Sequence, residues 1–344
     1  MRLVNVPPGP LDAKAVDGLT EFARTWPGEL VVVTPHEEAQ SDVYRVVTEP
    51  EDIASAIRLL RPDVITALHR PEFEWLNELA PSVYTSEVTR RIRTDLQHVT
   101  ANGRIDKMRI TLGQFRRDRL FKRMAKASAG LQCNGYAAWR SYGRLTPHSM
   151  MFREHRIREG DLELAKERFT WDGSRPLRVA FSGRVTAVKG PETVLTVAAQ
   201  LPQMEFSIFG DGDLRERLEA SAPANVAFHG HMTFVQWKEY VRNNVDIALL
   251  PHPQGDPSGT YYEMMGSGVP VVGVRNTTWR ELADREHLGW AEKDAFSIAA
   301  RIATLTPHDL DLARERAFKI VEPFEVTSAR RMAHLADIAR SARS

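Results

Sequence analysis

The segment Phe181-Ser-Gly183-Arg184-Val-Thr-Ala-Val-Lys189-Gly190 sets two cations five residues apart, each beside a glycine, where a short apolar run gives way to a helix start. Positive side chains and the unpaired N–H groups of a helix start act together on a polyanion. A solvated surface pair is the alternative for an isolated Arg and Lys; the carboxyl end of a strand is instead where parallel sheets bind ligands. A second segment, Asp256-Pro-Ser258-Gly259-Thr260-Tyr-Tyr-Glu263-Met-Met-Gly266-Ser267-Gly268-Val-Pro270, reads as a capped helix. Ser258 caps it, Gly259 lets a ligand approach the backbone, and Gly268 with Pro270 stops it. Gly259, Gly266 and Ser267 share one face with Glu263, which predicts a carboxylate in a groove with small walls. Such a carboxylate accepts two hydrogen bonds side by side, as the vicinal hydroxyls of a ribose require. The alternative is a helix acid paired with a surface base.

Short β-branched runs alternating with helical segments place these residues in an α/β scaffold, with parallel sheets covered by helices. In the first half, strands are expected near Leu3 to Val6, Leu30 to Thr34, Val64 to Leu68, Val83 to Ser86 and Gly130 to Asn134. Helices fall between them, including Glu72 to Leu79 and the basic stretch up to Lys126. A polar stretch from Arg153 to Arg175 ends in the turn formers Asp172-Gly-Ser-Arg-Pro176, where the domain boundary is placed. Strands Leu177 to Ser182, Glu205 to Phe209, Val226 to His229, Val245 to Leu250 and Val269 to Val274 follow, alternating with helices. Two Rossmann-like, doubly wound parallel-sheet domains facing a central cleft are the economical architecture.

Composition bounds the partners. The 344 residues carry 46 Lys and Arg against 45 Asp and Glu, an overall +1, which argues against a dedicated nucleic-acid binder. No apolar stretch approaches the ~20 residues that span a bilayer. The N-terminus lacks the pattern of an export signal, and the single cysteine, Cys133, fits a reducing cytoplasm. The near-neutral total hides one local field: Arg90 to Lys126 contains twelve Lys or Arg against three Asp, interleaved with residues such as Ile105, Met108, Leu112 and Phe115. Basic amphipathic helices bind anionic membrane surfaces; a solvated helical face, or an acidic acceptor, is the alternative.

Gly183-Arg184 to Lys189-Gly190, the Gly210-Asp-Gly212 turn, Val226-Ala-Phe-His-Gly230, Asp246-Ile-Ala-Leu-Leu-Pro251 and Tyr262-Glu263-Met-Met-Gly-Ser-Gly268-Val-Pro270 together resemble the group 1 (family 4) retaining glycosyltransferases of the GT-B fold. The resemblance runs in order over about residues 177 to 275. It implies an acceptor-binding domain over 1–170, a nucleotide-sugar donor domain over 171–322, and a last helix, 323–344, crossing back to the first. A UDP- or GDP-sugar would be the donor, and a saccharide or lipid-linked molecule the acceptor. Arg184 and Lys189 would hold the donor diphosphate beside Gly183, and Glu263 the ribose.

The family's second glutamate, eight positions before the ribose-binding one, is here Gly255. Either Asp256 takes its contact with the donor sugar or the Ser258-Gly259-Thr260 amides hold the sugar alone. The family's acceptor-domain histidine has no plain counterpart: Glu87 stands at its expected place and His69 follows the preceding strand, so both are catalytic candidates that could reach the cleft from strand ends, the alternative for His69 being a satisfied structural histidine. Gly9, after Asn5-Val-Pro-Pro, stands where the family often has a glycine pair approaching the diphosphate; the alternative is a turn that the prolines simply stiffen. Asp211-Gly-Asp213 has the spacing of a metal-binding acid pair, but sits where Asp caps and Gly bends, so no metal and no separate cofactor are expected. Two other readings stand beside transfer: a nucleotide-sugar isomerase of the 2-epimerase type, and a non-catalytic nucleotide-sugar-binding protein.

Overall fold

In the computed structural model, which describes residues 1–36, 41–48, 52–253 and 259–343, the alternation resolves into two sheets whose strands are all parallel. The first comprises β1 (Arg2–Val6), β2 (Glu29–Thr34), β3 (Arg45–Thr48), β4 (Val64–Leu68), β5 (Ser82–Ser86), β6 (Gly130–Asn134) and β7 (Ser149–Phe152), in the order β3-β2-β1-β4-β5-β6-β7. The second comprises β8 (Arg178–Ser182), β9 (Glu205–Phe209), β10 (Val226–Gly230), β11 (Ile247–Leu250), β12 (Val271–Val274) and β13 (Gly289–Glu292), in the order β10-β9-β8-β11-β12-β13. Each order runs outward from its first strand and then jumps back across it. The winding therefore reverses between β1 and β4, and again between β8 and β11, and a crevice opens at the carboxyl ends of such strand pairs.

The strands of the first sheet are apolar at nearly every position because both faces are covered. Val4, Val31, Val33, Ile65 and Leu131 enter one core, while their neighbours Leu3, Leu30, Val32, Val64 and Val83 enter the other. The last helix, Phe324–Ser341, closes the second of these cores with Met332, Leu335, Ala336, Ile338 and Ala339. Gly130 lies under it, where an added Cβ would come within 2.6 Å of Ile338 Cδ1. Arg331 fastens the same helix: its Nε donates to Gln132 Oε1 (2.8 Å), its Nη2 donates to Thr85 Oγ1 (3.2 Å), and its guanidinium lies 3.9 Å from the Phe152 ring centroid.

Three strands lie outside the sequence expectation: β3, β7 and β13. All three are sheet edges, where strands are short and partly polar and the hydrophobic pattern is weakest. The segment expected as a helix over Glu72 to Leu79 is instead 3₁₀, Pro71–Glu78, and the basic stretch forms two helices, Arg90–Val99 and Gly103–Ala127.

The chain divides into two compact units, 1–90 with 108–154 and 324–344, and 91–107 with 155–323. The division falls between Glu154 and His155 rather than near Pro176, because the intervening segment is bonded to the second unit. Lys238 Nζ pairs with Asp161 (2.6 Å), and Arg168 donates to the carbonyls of Gly268 (3.0 Å) and Val245 (2.5 Å).

Leu335 is fully buried beneath the first sheet. Leu335→Ala is expected to cost about 3 kcal/mol of unfolding free energy, as cavity-forming core truncations do. Urea unfolding measures it, and a loss below about 1 kcal/mol would show that this helix is not part of the core.

Candidate functional site

In the second unit the loops after β8, β9 and β11 meet at the carboxyl edge of the sheet. Gly210 has φ +117, and a Cβ placed there would lie 2.0 Å from the Gly183 carbonyl oxygen. The ends of β8 and β9 therefore approach more closely than side chains permit. Gly190 has φ +64, joins the 3₁₀ turn Ala187–Lys189 to the helix Pro191–Gln200, and presses on the Pro251 carbonyl in the same way. These contacts bring Gly183, Lys189 and His252 around one point: a Cβ on Gly183 would be 3.8 Å from His252 Nε2 and 3.9 Å from Lys189 Cγ.

Lys189 is buried and Arg184 is exposed, so the two cations differ in setting despite their spacing. His252 was not among the sequence candidates, although it directly follows the strand run ending in Pro251. It is fully buried, and neither ring nitrogen has a hydrogen-bond partner among the described residues. Burial, reinforced by the Lys189 charge, holds its pKa well below the usual histidine range, so the ring is neutral.

Glu263 lies on the helix Gly259–Gly266, with Gly259 buried at its first position and Thr260 beside it. The expected groove with small walls is only partly present. At Gly266 an added Cβ would lie 2.8 Å from Ile157 Cγ1, so that wall is filled by the segment leading into the unit. Ser267 donates its hydroxyl to the Glu263 carbonyl (2.8 Å). The carboxylate pairs with Arg156, Nε to Oε1 at 3.2 Å. Gly255, Asp256 and Ser258 lie outside the described residues. Asp211 acts as the turn former expected, accepting from the Gly212 N–H (2.8 Å) and pairing with Arg215 (3.3 Å).

The first unit has its own polar cluster at the carboxyl edge. Glu87 follows β5, Asn134 ends β6, Glu154 follows β7, and Lys14 lies on the helix Ala13–Thr25 after β1. Asn134 Nδ2 donates to Glu154 Oε2 (3.1 Å) and Glu87 Oε1 (3.4 Å), while Lys14 Nζ sits 3.0 Å from Glu154 Oε1. Burial raises the Glu87 carboxyl and repulsion from Glu154 raises it further. Burial alone would raise Glu154 too, but Lys14, the hydrogen bond with Glu87 and the Arg331 charge outweigh it and hold that carboxyl low. The pair thus keeps one proton, on Glu87. Sequence reading reached Glu87 only; Asn134 and Glu154 stand on other strand ends and Lys14 on a helix, and none of the three carries a local motif.

His69 belongs to the core rather than to this cluster. Its Nε2–H donates to the Phe121 carbonyl (2.9 Å), its Nδ1 accepts from the Ser86 hydroxyl (3.0 Å), and the ring packs edge-on against Phe121 and Tyr142. With both nitrogens engaged and 4 % exposure it has no site left for chemistry. At Gly9 an added Cβ would meet nothing within 4 Å, so no steric demand selects glycine there. Cys133 is buried and its thiol is pushed up to about 12, which removes it as a nucleophile.

Residues 176–307 match the family model described as Glycosyl transferases group 1. No curated protein matches the chain. The fold is similar to that of HepE from Anabaena, solved with UDP and glucose (TM-score 0.69, 14% identity, 97% of this chain and 99% of that one). It is likewise similar to WaaG, a glycosyltransferase involved in lipopolysaccharide biosynthesis (TM-score 0.68, 12% identity, 97% and 99%). The sucrose-phosphate synthase of Thermosynechococcus elongatus is a third (TM-score 0.68, 14% identity, 99% and 100%). The two-domain architecture is thus that of the GT-B glycosyltransferases.

The shared proton has a signature in stability. The Glu87 carboxyl is raised from 4.5 to about 8 on folding, so its contribution is complete below pH 4.5 and is lost as pH rises toward 8. Glu154 contributes with the opposite sense, present above 4.5 and lost as pH falls. Glu87→Gln cannot ionise and is expected to flatten the decline in urea midpoint between about pH 5 and pH 8. A pH dependence identical to the parent's would show that Glu87 carries no proton.

Proposed function

We propose that this chain, whose residues 176–307 form a group 1 glycosyltransferase domain, transfers a sugar with retention and without a metal from a nucleotide-sugar donor to a saccharide or lipid-linked acceptor in polysaccharide or glycoconjugate synthesis. The observation that carries this reading is the buried Lys189 beside neutral His252 at the Gly183 turn, on the strand pair where the winding reverses. A nucleoside diphosphate leaving group gathers negative charge as the glycosidic bond breaks. A cation held in a low-dielectric setting stabilises that charge more than one in water. Arg184, exposed and without a side-chain partner among the described residues, supplies a second, movable cation. The start of the helix Gly259–Gly266 offers amides to the diphosphate, and Glu263 accepts from the ribose hydroxyls. The bound UDP of the Anabaena neighbour supports a uridine or other nucleoside diphosphate as the donor's carrier. The departing phosphate oxygen takes the acceptor proton on the face it leaves, which is what retention requires without a side-chain nucleophile.

Arg184→Ala and Glu263→Ala are each expected to weaken nucleotide-sugar binding by about tenfold or more, by titration calorimetry across a UDP- and GDP-sugar panel. Unchanged affinity in both variants would overturn the site. Product analysis separates the chemistries: acceptor-dependent nucleotide release supports transfer, whereas a new nucleotide-sugar isomer formed without acceptor would replace it with isomerisation.

The helix Gly103–Ala127 gives this reading its proposed location, peripheral at the cytoplasmic face of a membrane. Its inward face carries Gln114 and Asp118 beside Phe121, Met124 and Ala125, with Asp118 accepting from the Tyr142 hydroxyl at 2.7 Å. Its exposed face carries Ile105, Met108, Leu112 and Phe115, spaced three, four and three residues apart and each more than half exposed. Arg109, Arg116 and Arg119 are exposed on the same helix. A helix that turns apolar residues to solvent among arginines has the chemistry of an anionic lipid surface. Salt-sensitive co-sedimentation with vesicles containing anionic lipid, and none with neutral vesicles, is expected. Equal, negligible sedimentation with both would remove the membrane from the proposal.

A further inference from the structure

The carboxylate assigned above to the ribose is not free to choose its orientation. Arg156, two residues after the chain enters the second unit, donates from Nε to Glu263 Oε1 at 3.2 Å. The pair is largely shielded, with side-chain exposures of 20% and 10%. Glu263 Oε2 receives no hydrogen bond from the described residues. The guanidinium is itself braced, lying 3.8 Å from the centroid of the Phe234 ring. That ring also faces the Lys238 ammonium at 4.9 Å, and Lys238 pairs with Asp161. The flanking residues hold the same segment against the Glu263 helix: His155 packs on Tyr262 at 6.1 Å between ring centroids, and Ile157 fills the space over Gly266.

We infer that Arg156 is a positioning residue for the nucleotide: it fixes the Glu263 carboxylate through Oε1 and leaves Oε2 directed to the ribose hydroxyls. This deepens the donor-site reading and rests on it. The chemistry favours arginine here. A planar guanidinium stacks on an aromatic ring while presenting an N–H along its edge, whereas a lysine ammonium is a hydrated point charge on a flexible stem. A carboxylate with one oxygen anchored by a charge-assisted hydrogen bond loses little freedom when a diol binds the other. An unanchored one would have to be ordered by the ligand.

The test compares UDP with 2′,3′-dideoxy-UDP, and GDP with its dideoxy counterpart, by calorimetry on the full chain. Wild type is expected to favour the ribose form. Arg156→Met keeps an apolar stem over Phe234 and removes the charge; it is expected to reduce that preference about tenfold by weakening the ribose form and leaving the dideoxy form unchanged. Arg156→Lys is expected to restore only part of it. If Arg156→Met weakens both forms equally, or if it and Arg156→Lys both keep the wild-type preference, Arg156 is structural and the inference fails while the donor site stands. If Arg156→Met does not fold, the Arg156→Lys comparison decides alone: an undiminished preference overturns the inference. Wild type that binds neither UDP nor GDP would overturn the donor-site reading itself, a separate outcome.

Discussion

Gly183 and Gly210 let the loops after β8 and β9 touch backbone to backbone, and the geometry of the second unit's carboxyl edge follows from that contact. A Cβ at Gly210 would overlap the Gly183 carbonyl, and one at Gly190 would overlap the Pro251 carbonyl. Removing two side chains draws three strand ends together and lets Lys189 and His252 share one buried point. Because the sheet is parallel, all these loops leave from the same edge, so the crowding is concentrated where the winding reverses. The cost is entropic: Gly183, Gly190 and Gly210, all at positive φ, give up more conformational freedom on folding than other residues would. It is offset by the apolar layer beneath, where Phe181, Phe206, Ile208 and Leu249 are buried.

The second unit also depends on a segment that precedes its first strand. Arg168 reaches the carbonyls at the ends of two other segments, Val245 and Gly268, while Arg175 and Arg178 converge on the buried Asp246. Asp246 accepts from Arg175 at 2.6 and 2.9 Å and from the Arg178 backbone N–H at 2.8 Å, which ties the entry of β8 to that of β11. Burial lowers the Arg168 pKa to about 10, and it remains a cation at neutral pH. These bonds explain why a polar stretch without a strand pattern belongs to the second unit and not to a loose linker.

The contrast between Glu263 and Arg156 shows what is legible in a sequence. Helical spacing placed Glu263 among small residues, because three- and four-residue offsets are properties of one element. It did not reveal that Ile157 occupies the space over Gly266, or that Arg156 holds the carboxylate, since those contacts join residues about a hundred positions apart. The same holds in the first unit: Glu87 was legible as a strand-end residue, whereas its coupling to Glu154 needs β5, β6 and β7 to be adjacent, and β7 carries methionines rather than β-branched residues. Central strands were readable from their continuous apolar runs. His69 shows the reverse error, a histidine at a strand end whose partners, Ser86 on the adjacent strand and Phe121 on the helix Gly103–Ala127, make it part of the core.

In both units burial neutralises one member of a like-charged neighbourhood. Glu87 keeps its proton beside ionised Glu154, and His252 gives its proton up beside Lys189. A low-dielectric setting tolerates a single net charge far better than two of the same sign, so each edge settles on one charged and one neutral partner. The neutral partner is then able to do what its charged form is not. A protonated Glu87 donates a hydrogen bond, and an unprotonated His252 carries both a donor and an acceptor. Sugar hydroxyls both give and take hydrogen bonds, while a diphosphate only takes them. The first edge pairs a donor with an acceptor, as a hydroxyl requires, and the second adds an N–H to a cation, as a diphosphate requires.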